Sequence, residues 1–354
     1  GLALYEHIDY RLVEKGDQNG VEFLTRSKSW GPNFLNFGVD LEDDLQGDTA
    51  FNVSARMTRR GINRFGAEWR TDLQVGTEPY FKTELYQPLS FDSRYFIAPR
   101  IVLEQTNFNA FVSQESVAQY RIGNSNIALD VGRELGLWGE LRLGVFVGKG
   151  NAKIKVGAPD LPESTFDTGG FEADFQIDTR DDAQIPLRGS HINISYLDSN
   201  PRLGADFNFQ LLQTEFTSAW TRGRHSVNAG LVFNTSFEAD DLVQNYFPLG
   251  GFLNLSGLAR GEISGPHAGL VRLAYYRRTG EMAPNIFDAP LYVGASIEAG
   301  DVWPTKSDIS VSDVLVNGSV FAGVDTFFGP LFLGAGLSEG GDSNFYLLLG
   351  RSPL

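Results

Sequence analysis

The sequence predicts an all-β fold: a closed antiparallel barrel of sixteen membrane-crossing strands, with one long loop folded into its lumen. Three observations carry this. Apolar and polar residues alternate with period 2 along most of the 354 residues. Many of the alternating runs reach ten residues or more, longer than the 5–6 of ordinary strands and long enough to cross a bilayer at a tilt. A sheet in hydrocarbon must also close, because an open edge would leave backbone N–H and C=O groups without partners. A large soluble β protein is the competing class.

Successive strand side chains point to opposite faces. Phe51, Val53, Ala55 and Met57 oppose Asn52, Ser54 and Arg56; Leu141, Leu143, Val145 and Val147 oppose Glu140, Arg142, Gly144 and Phe146. In Phe171–Asp178, Phe171, Ala173, Phe175 and Ile177 oppose Glu172, Asp174, Gln176 and Asp178. Ile192, Ile194 and Tyr196 alternate with His191, Asn193 and Ser195. In chain order the strands read 33–44, 48–60, 65–77, 80–90, 94–107, 116–135, 139–152, 166–180, 189–198, 204–221 and 224–238. After a long loop come 267–278, 290–301, 314–328, 330–338 and 343–351. The total is even, as in closed bacterial barrels. The segment 116–135 counts as one strand, although Ile122-Gly123-Asn124 has the composition of a turn.

Residues 1–31 differ from the rest. Tyr5–Glu14 and Val21–Lys28 form a charged hairpin around Lys15 to Gly20, and Pro32 breaks the chain before Phe34. This is expected to be the end of a small soluble domain, with the barrel occupying 32–354. Gly1-Leu2-Ala3-Leu4 lacks the pattern of a signal peptide and is expected to open a mature fragment.

Composition excludes several classes. No apolar run reaches 18 residues, so no transmembrane helix is expected. Cysteine is absent, which removes disulfides and thiolate chemistry; the four His, at 7, 191, 225 and 267, show no ligand spacing. No metal or other cofactor is expected. The formal charge of −15 argues against nucleic acid and fits a soluble surface or a polar lumen.

The loop Leu249–Gly265 (LGGFLNLSGLARGEISG) is too glycine-rich for a helix and too apolar for solvent. Long loops without secondary structure are usually functional or disordered. Phe252, Leu253, Leu255, Leu258 and Ile263 give this one a face to bury inside the barrel.

Three stretches together resemble the outer-membrane protein 85 superfamily, the group of the BamA, TamA and two-partner-secretion barrels. Gly250-Gly251-Phe252 followed by Leu255-Ser256-Gly257-Leu258 and Gly265-Pro266 is similar to the family's lumen-folded loop. Asp178-Thr179-Arg180-Asp181 with Pro186 and Gly189 is similar to its periplasmic turn. Gly329-Pro330-Leu331 through Phe345 to Gly350 is similar to its closing strand pair. The resemblance covers about 33–351, and it implies that the hairpin at 1–31 is the tail of a POTRA domain. The family loop carries Arg where Ser256 stands, and its usual Asp partner is replaced by Glu298 in Ser296-Ile297-Glu298-Ala299-Gly300. The expected lock therefore joins the loop motif (Gly250, Gly251, Leu255, Ser256, Gly257, Leu258, Arg260) to Glu298 and Gly300, with Arg260 or Arg272 supplying the cation. Alternatively Arg260 merely faces water or lipid headgroups.

The Leu-Ser-Gly-Leu variant and the single partial POTRA most resemble the type-Vd, PlpD-like autotransporters. There a patatin-like lipase passenger precedes one POTRA domain and a sixteen-stranded barrel. The resemblance implies a translocator and anchor in the bacterial outer membrane, with the POTRA tail in the periplasm. Its partners would be outer-membrane lipid and lipopolysaccharide, an attached N-terminal passenger and the barrel-assembly machinery. Translocases and insertases acting on separate substrates are the alternative, and a passive porin a weaker one. No Gly-x-Ser-x-Gly elbow occurs, so serine chemistry would lie outside this chain. Asp178, Asp181, Asp182 and Arg180 read as turn chemistry rather than an acid–base cluster. The first and last strands, 34–41 and 345–350, are expected to meet at a weak seam marked by Phe34, Gly38, Phe345 and Gly350, since glycine removes packing from a strand. Trp30, Trp69, Trp138 and Trp220 with Tyr80, Tyr86, Tyr95 and Tyr120 fall near strand ends, as interfacial aromatics do. Glu238 to Asp241 reads as a solvated loop.

Overall fold

The computed structural model describes residues 5–16, 18–27, 33–45, 49–92, 94–112, 115–157, 163–237, 245–279 and 290–354. Strands β1 (Tyr5–Lys15) and β2 (Gln18–Ser27) form a separate two-stranded hairpin. Lys15 and Gln18 are already paired, so the turn is shorter than the six residues read from sequence, with Gly16 at φ 64°. The expected domain boundary at 31/32 and Trp30 lie outside the described residues, as do Glu238 to Asp241.

The barrel begins with β3 (Asn33–Asp43), β4 (Thr49–Arg59), β5 (Glu68–Gly76), β6 (Tyr80–Pro88) and β7 (Tyr95–Val112). It continues through β8 (Glu115–Glu134), β9 (Gly139–Val156), β10 (Ser164–Asp178), β11 (Gly189–Ser199), β12 (Phe209–Arg222) and β13 (His225–Phe237). Two short strands, β14 (Phe247–Leu249) and β15 (Ile263–Gly265), pair only with each other and form the stem of the long loop. The wall resumes with β16 (His267–Thr279), β17 (Leu291–Trp303), β18 (Leu315–Thr326), β19 (Gly329–Ser338) and β20 (Ser343–Leu349). β20 returns to β3 and closes a sixteen-strand antiparallel barrel. The segment read as one strand at 116–135 is one strand, β8. The strand read as 204–221 starts instead at Phe209, because Pro201–Leu203 form a 3-10 turn ended by Gly204 at φ 95°.

The faces are inverted relative to a soluble protein. Phe51, Val53, Leu143, Val145, Ile127, Val271 and Ile297 are exposed on the outside, where lipid is the apolar solvent. The lumen has two unlike walls. Loop residues Phe252 and Leu253 pack against Tyr276, Tyr292, Phe321, Phe332 and Tyr346, together with Ile185 and Leu354. Phe247, Leu249, Leu255 and Leu258 pack against Ala268 and Leu270. This apolar fill belongs to β16–β20. The wall from β4 to β10 carries charge instead. Arg142 pairs with Glu84 (2.9 Å), Glu140 (2.8 Å) and Asp130 (3.5 Å), Arg100 with Asp130 (3.0 Å) and Glu172, and Arg56 with Asp72.

The aromatic positions divide likewise. Trp69, Trp220 and Tyr95 are exposed on the outer wall, whereas Trp138, in the β8–β9 turn, borders a cavity shared with the lumen residues Glu84, Glu140 and Arg142. Tyr86 is a correction: it shares the lumen face of β6 with Glu84, donates to Glu134 (2.8 Å) and packs on Phe96. Tyr80 lies on that same face, four and six residues before Glu84 and Tyr86 in the period-2 alternation. Tyr120 is only partly exposed.

Candidate functional site

The site consists of the loop 250–262, the strand residues that hold it, and the seam beside it. Gly250 and Gly251 turn the chain at φ 117° and 114°, and Leu253 and Leu255 adopt φ 57° and 71°. A left-handed backbone costs a non-glycine residue about 1–2 kcal/mol. Both leucines are wholly buried, and full burial of a leucine returns about 1.5–3 kcal/mol. Packing thus selects a conformation the local backbone disfavours. Internal turns satisfy the polar groups: the Gly250 N–H donates to Asn254 O (2.8 Å), Asn254 N–H to Gly251 O (3.0 Å) and Leu258 N–H to Leu255 O (2.9 Å).

Glu298 on β17 is 1% exposed and takes the centre of the loop. Its Oε2 accepts the Ser256 N–H (2.6 Å), and its Oε1 accepts the hydroxyls of Ser256 (2.7 Å) and Ser296 (2.6 Å). The Ser256 hydroxyl in turn accepts the Leu253 N–H (2.8 Å). Gly257 docks beside it, donating to Asn317 Oδ1 (2.9 Å) and accepting from Asn344 Nδ2 (2.7 Å). The Tyr346 hydroxyl reaches the carbonyls of Ser256 (3.1 Å) and Leu258 (2.7 Å). The approach is close enough to require glycine: a Cβ on Gly257 would lie 2.2 Å from Ser338 N, and one on Gly336 would lie 1.8 Å from Ser256 O.

The cation expected for Glu298 is not Arg260. That side chain crosses the lumen to Glu78 (3.0 Å) and Glu42 on β3 (3.8 Å). Arg272 stands directly across the ladder from Glu298 and donates to Leu253 O (3.3 Å), but no ion pair within 4.0 Å joins it to Glu298. Two hydrogen bonds from Ser256 join the loop to Glu298 where a salt bridge was expected, and a third, from Ser296 of β17 itself, completes the carboxylate's set of donors. Gly300 packs against β16, where a Cβ would lie 2.5 Å from Gly269 O. Gly250 and Gly251 shape the loop and Leu255 and Leu258 bury it, while the loop's hydrogen bonds to Glu298 come from Ser256.

The seam is shorter than read from the sequence. Only Leu41–Leu349, Glu42–Leu348 and Asp43–Leu347 pair, against seven or more residue pairs at every other strand junction of the barrel. The reason is Gly350, at φ 89°, which turns the chain off the sheet so closely that a Cβ would lie 1.6 Å from Val39 O. Phe34 and Gly38 therefore lie on β3 beyond the paired stretch. Phe34 sits under the Arg60 guanidinium, and Gly38 abuts Ser54 of β4. Phe345 lies beyond it on β20, pairs with Ala335 and faces outward. The loop spans this seam: Glu298, Asn317, Asn344 and Tyr346 hold it on one side, and Glu42 holds Arg260 on the other.

The turn after β10 is held by local hydrogen bonds. Asp178 grips Arg180 (2.8 Å), Asp181 accepts the N–H groups of Leu187 (2.9 Å) and Arg188 (3.0 Å), and Asp182 accepts those of Gln184 (2.6 Å) and Ile185 (3.1 Å). Tyr276 donates to Pro186 O and fastens the turn to the barrel. The charged wall escaped the sequence reading, although its signal was present: a charged residue at a lumen position of each of seven strands, β4 to β10.

A family model for the Omp85 superfamily domain matches residues 37–322. Among solved structures, BamA from Haemophilus ducreyi lacking POTRA domains 1–3 aligns with a TM-score of 0.75 at 13% identity, over 98% of this chain and 75% of that one. CdiB from Acinetobacter baumannii aligns at 0.59 with 12% identity, over 98% and 66%, and CdiB from Escherichia coli at 0.60 with 12% identity, over 97% and 67%. At these identities the likeness concerns the fold. No curated protein sequence matches the chain. A sixteen-strand closure, a lumen-folded loop and a family match over most of the length converge: the chain belongs to the Omp85 superfamily of bacterial outer-membrane β-barrels.

Proposed function

We propose that this chain is the outer-membrane translocator and anchor of a self-secreting protein of the type-Vd kind, with a patatin-like lipase passenger ahead of the hairpin. The observation that carries the translocator reading is the three-pair seam bridged by a loop fixed on both of its sides. Such a barrel has one place where the wall opens with few hydrogen bonds lost, and a plug whose attachment controls it. In this reading the rim where β3 starts faces the periplasm, and the passenger passes along the charged β4–β10 wall. The hairpin would be the last part of a POTRA domain. Lipid and lipopolysaccharide surround the barrel, and the barrel-assembly machinery inserts it. The type-Vd assignment rests on the Leu255-Ser256-Gly257-Leu258 variant.

A second reading, a translocase for separate protein substrates, is favoured by the fold likeness to BamA and CdiB. The test is the mass of the mature protein in native outer membranes, detected with an antibody to the barrel. A species far heavier than 39.0 kDa that yields a soluble lipase-active fragment supports self-secretion. A heavier species with several POTRA modules and no hydrolase activity supports the second reading. A passive porin would only gain conductance on deletion of 250–264, with secretion untouched.

A further inference from the structure

We propose that Arg222, His225 and Arg277 form a site on the outer wall for the phosphate of an anionic phospholipid, in the leaflet at the rim where β3 begins. The three residues face one another across adjacent strands: Arg222 pairs with His225, and His225 with Arg277. Facing side chains on one sheet face stand about 5 Å apart at Cβ, so two guanidinium groups and an imidazole form one short row. All three are exposed. Among the described residues no carboxylate lies within ion-pair distance of either arginine. Adjacent like charges repel and destabilise a strand pair, so the row is stable in the presence of a bridging anion.

Its position identifies that anion. Immediately below it on the same face lie Trp220 and Tyr275, 56% and 43% exposed, with Val227 paired to Trp220 and to Tyr275 between them. Amphipathic rings of this kind mark the headgroup level of a bilayer. Phe327 and Phe328, in the β18–β19 turn of this same rim, are also exposed. The Tyr275 hydroxyl sits 2.6 Å from His225 Nδ1; when it donates there, Nε2 carries the ring proton and can donate to an oxyanion. Arginine binds phosphate through paired N–H donors, which lysine cannot do, and no lysine occurs in the turns of this rim.

Among the described residues the surroundings do not neutralise the row. Behind it, at the lumen mouth, a cavity of about 370 Å³ is lined by Arg188, Arg224 and Arg278. Its one lining carboxylate among the described residues, Asp181, is engaged by the N–H groups of Leu187 and Arg188.

The test is lipid retention by the purified barrel in detergent, read by native mass spectrometry with phosphatidylglycerol and phosphatidylcholine as probes. The wild-type barrel is expected to retain phosphatidylglycerol selectively. R222Q/R277Q is expected to lose about thirtyfold in that selectivity, the effect of removing two interfacial cations. R222K/R277K, which keeps the charge, is expected to fall between, and K155Q on the opposite rim to match wild type. Unchanged heat-modifiable migration on gels establishes that each variant is folded. Equal phosphatidylglycerol retention by wild type and folded R222Q/R277Q overturns the site. Displacement of the lipid by excess inorganic phosphate overturns the assignment to a lipid and makes the row a site for free phosphate.

Discussion

Replacing Glu298 with alanine tests the loop lock directly. The carboxylate accepts three hydrogen bonds, from Ser256 N–H, Ser256 Oγ and Ser296 Oγ, at 2.6–2.7 Å. A hydrogen bond to a charged acceptor contributes about 1.5–3 kcal/mol, and a buried donor left without a partner is penalised by about 1–3 kcal/mol. The Ser296 bond lies within β17, so the loop is held by the two Ser256 bonds, and its undocking should become easier by roughly 3–6 kcal/mol. At about 1.4 kcal/mol per tenfold, the undocked population rises by about 10²–10⁴. The assay is hydrogen exchange at the Ser256 and Gly257 amides of the folded barrel, joined to protease cleavage within 250–262. E298Q keeps the shape and one acceptor oxygen and should show a smaller rise. R260A removes the pairs to Glu42 and Glu78, which are 27% and 22% exposed, and should add less than about tenfold. Exchange in E298A equal to wild type, or R260A equal to E298A, would refute the serine lock.

Three further outcomes follow from the geometry. L41C/L349C places a cysteine pair at a directly facing position of the seam in a chain with no other cysteine; under the proposed self-secretion, oxidation should stop passenger export and reductant restore it, and full-rate export while oxidised would rule out opening at that seam. G257A should accelerate exchange at the loop amides, because its Cβ would lie 2.2 Å from Ser338 N, whereas G223A, at φ 64° with no atom within 4 Å, should cost about 1–2 kcal/mol of backbone strain and leave the loop unchanged. Partial burial pushes the Asp181 carboxyl up, but the N–H groups of Arg188 and Leu187 hold it below the ordinary 3.8. Its folded pKa is therefore depressed; its stabilisation is full above 3.8 and lost as pH falls through the folded value. D181N should unfold at a lower temperature than wild type at neutral pH, and the gap should close in acid; a gap constant across the titration would refute this.

How much was legible depended on whether a feature is local. Period-2 alternation is written strand by strand, so strand number, closure and the single long β8 follow from the sequence. The strand read from 204 starts only at Phe209, because the 3-10 turn Pro201–Leu203 and its Gly204 cap are followed by an irregular stretch before the ladder begins. The loop was legible because glycine and leucine together in a long connection have few other uses. Glu298 was legible as its anchor, but its partner was not. A buried carboxylate needs donors, and a cation is only one source of them. Ser296 stands two residues away on the same strand, and the Ser256 hydroxyl and backbone become donors only when the loop is folded against β17. The charged wall was missed for the opposite reason. Each strand contributes one or two charged residues, and only closure brings Arg142 to Glu84, 58 residues away.

The replacement of arginine by serine in the loop has a structural consequence beyond the lock itself. A guanidinium at position 256 would hold the loop to the β17 side by charge. Here that attachment is made by short-range hydrogen bonds and a buried Glu298, while the one loop arginine, Arg260, points the other way, to β3 and the β5–β6 turn. Glu42, its β3 partner, is also one of the three residues of β3 paired with β20. Separation of β3 from β20 must therefore move Glu42 relative to a loop that stays fixed to β17, β18 and β20, and it stretches the Arg260 contact as it does so. Charge pairs in a partly wet lumen weaken gradually with distance and salt, whereas the Glu298 hydrogen bonds fail within a few tenths of an ångström. The loop is thus held rigidly to one side of the seam and elastically to the other, so an opening seam should carry the loop with β20 and leave β3 to move.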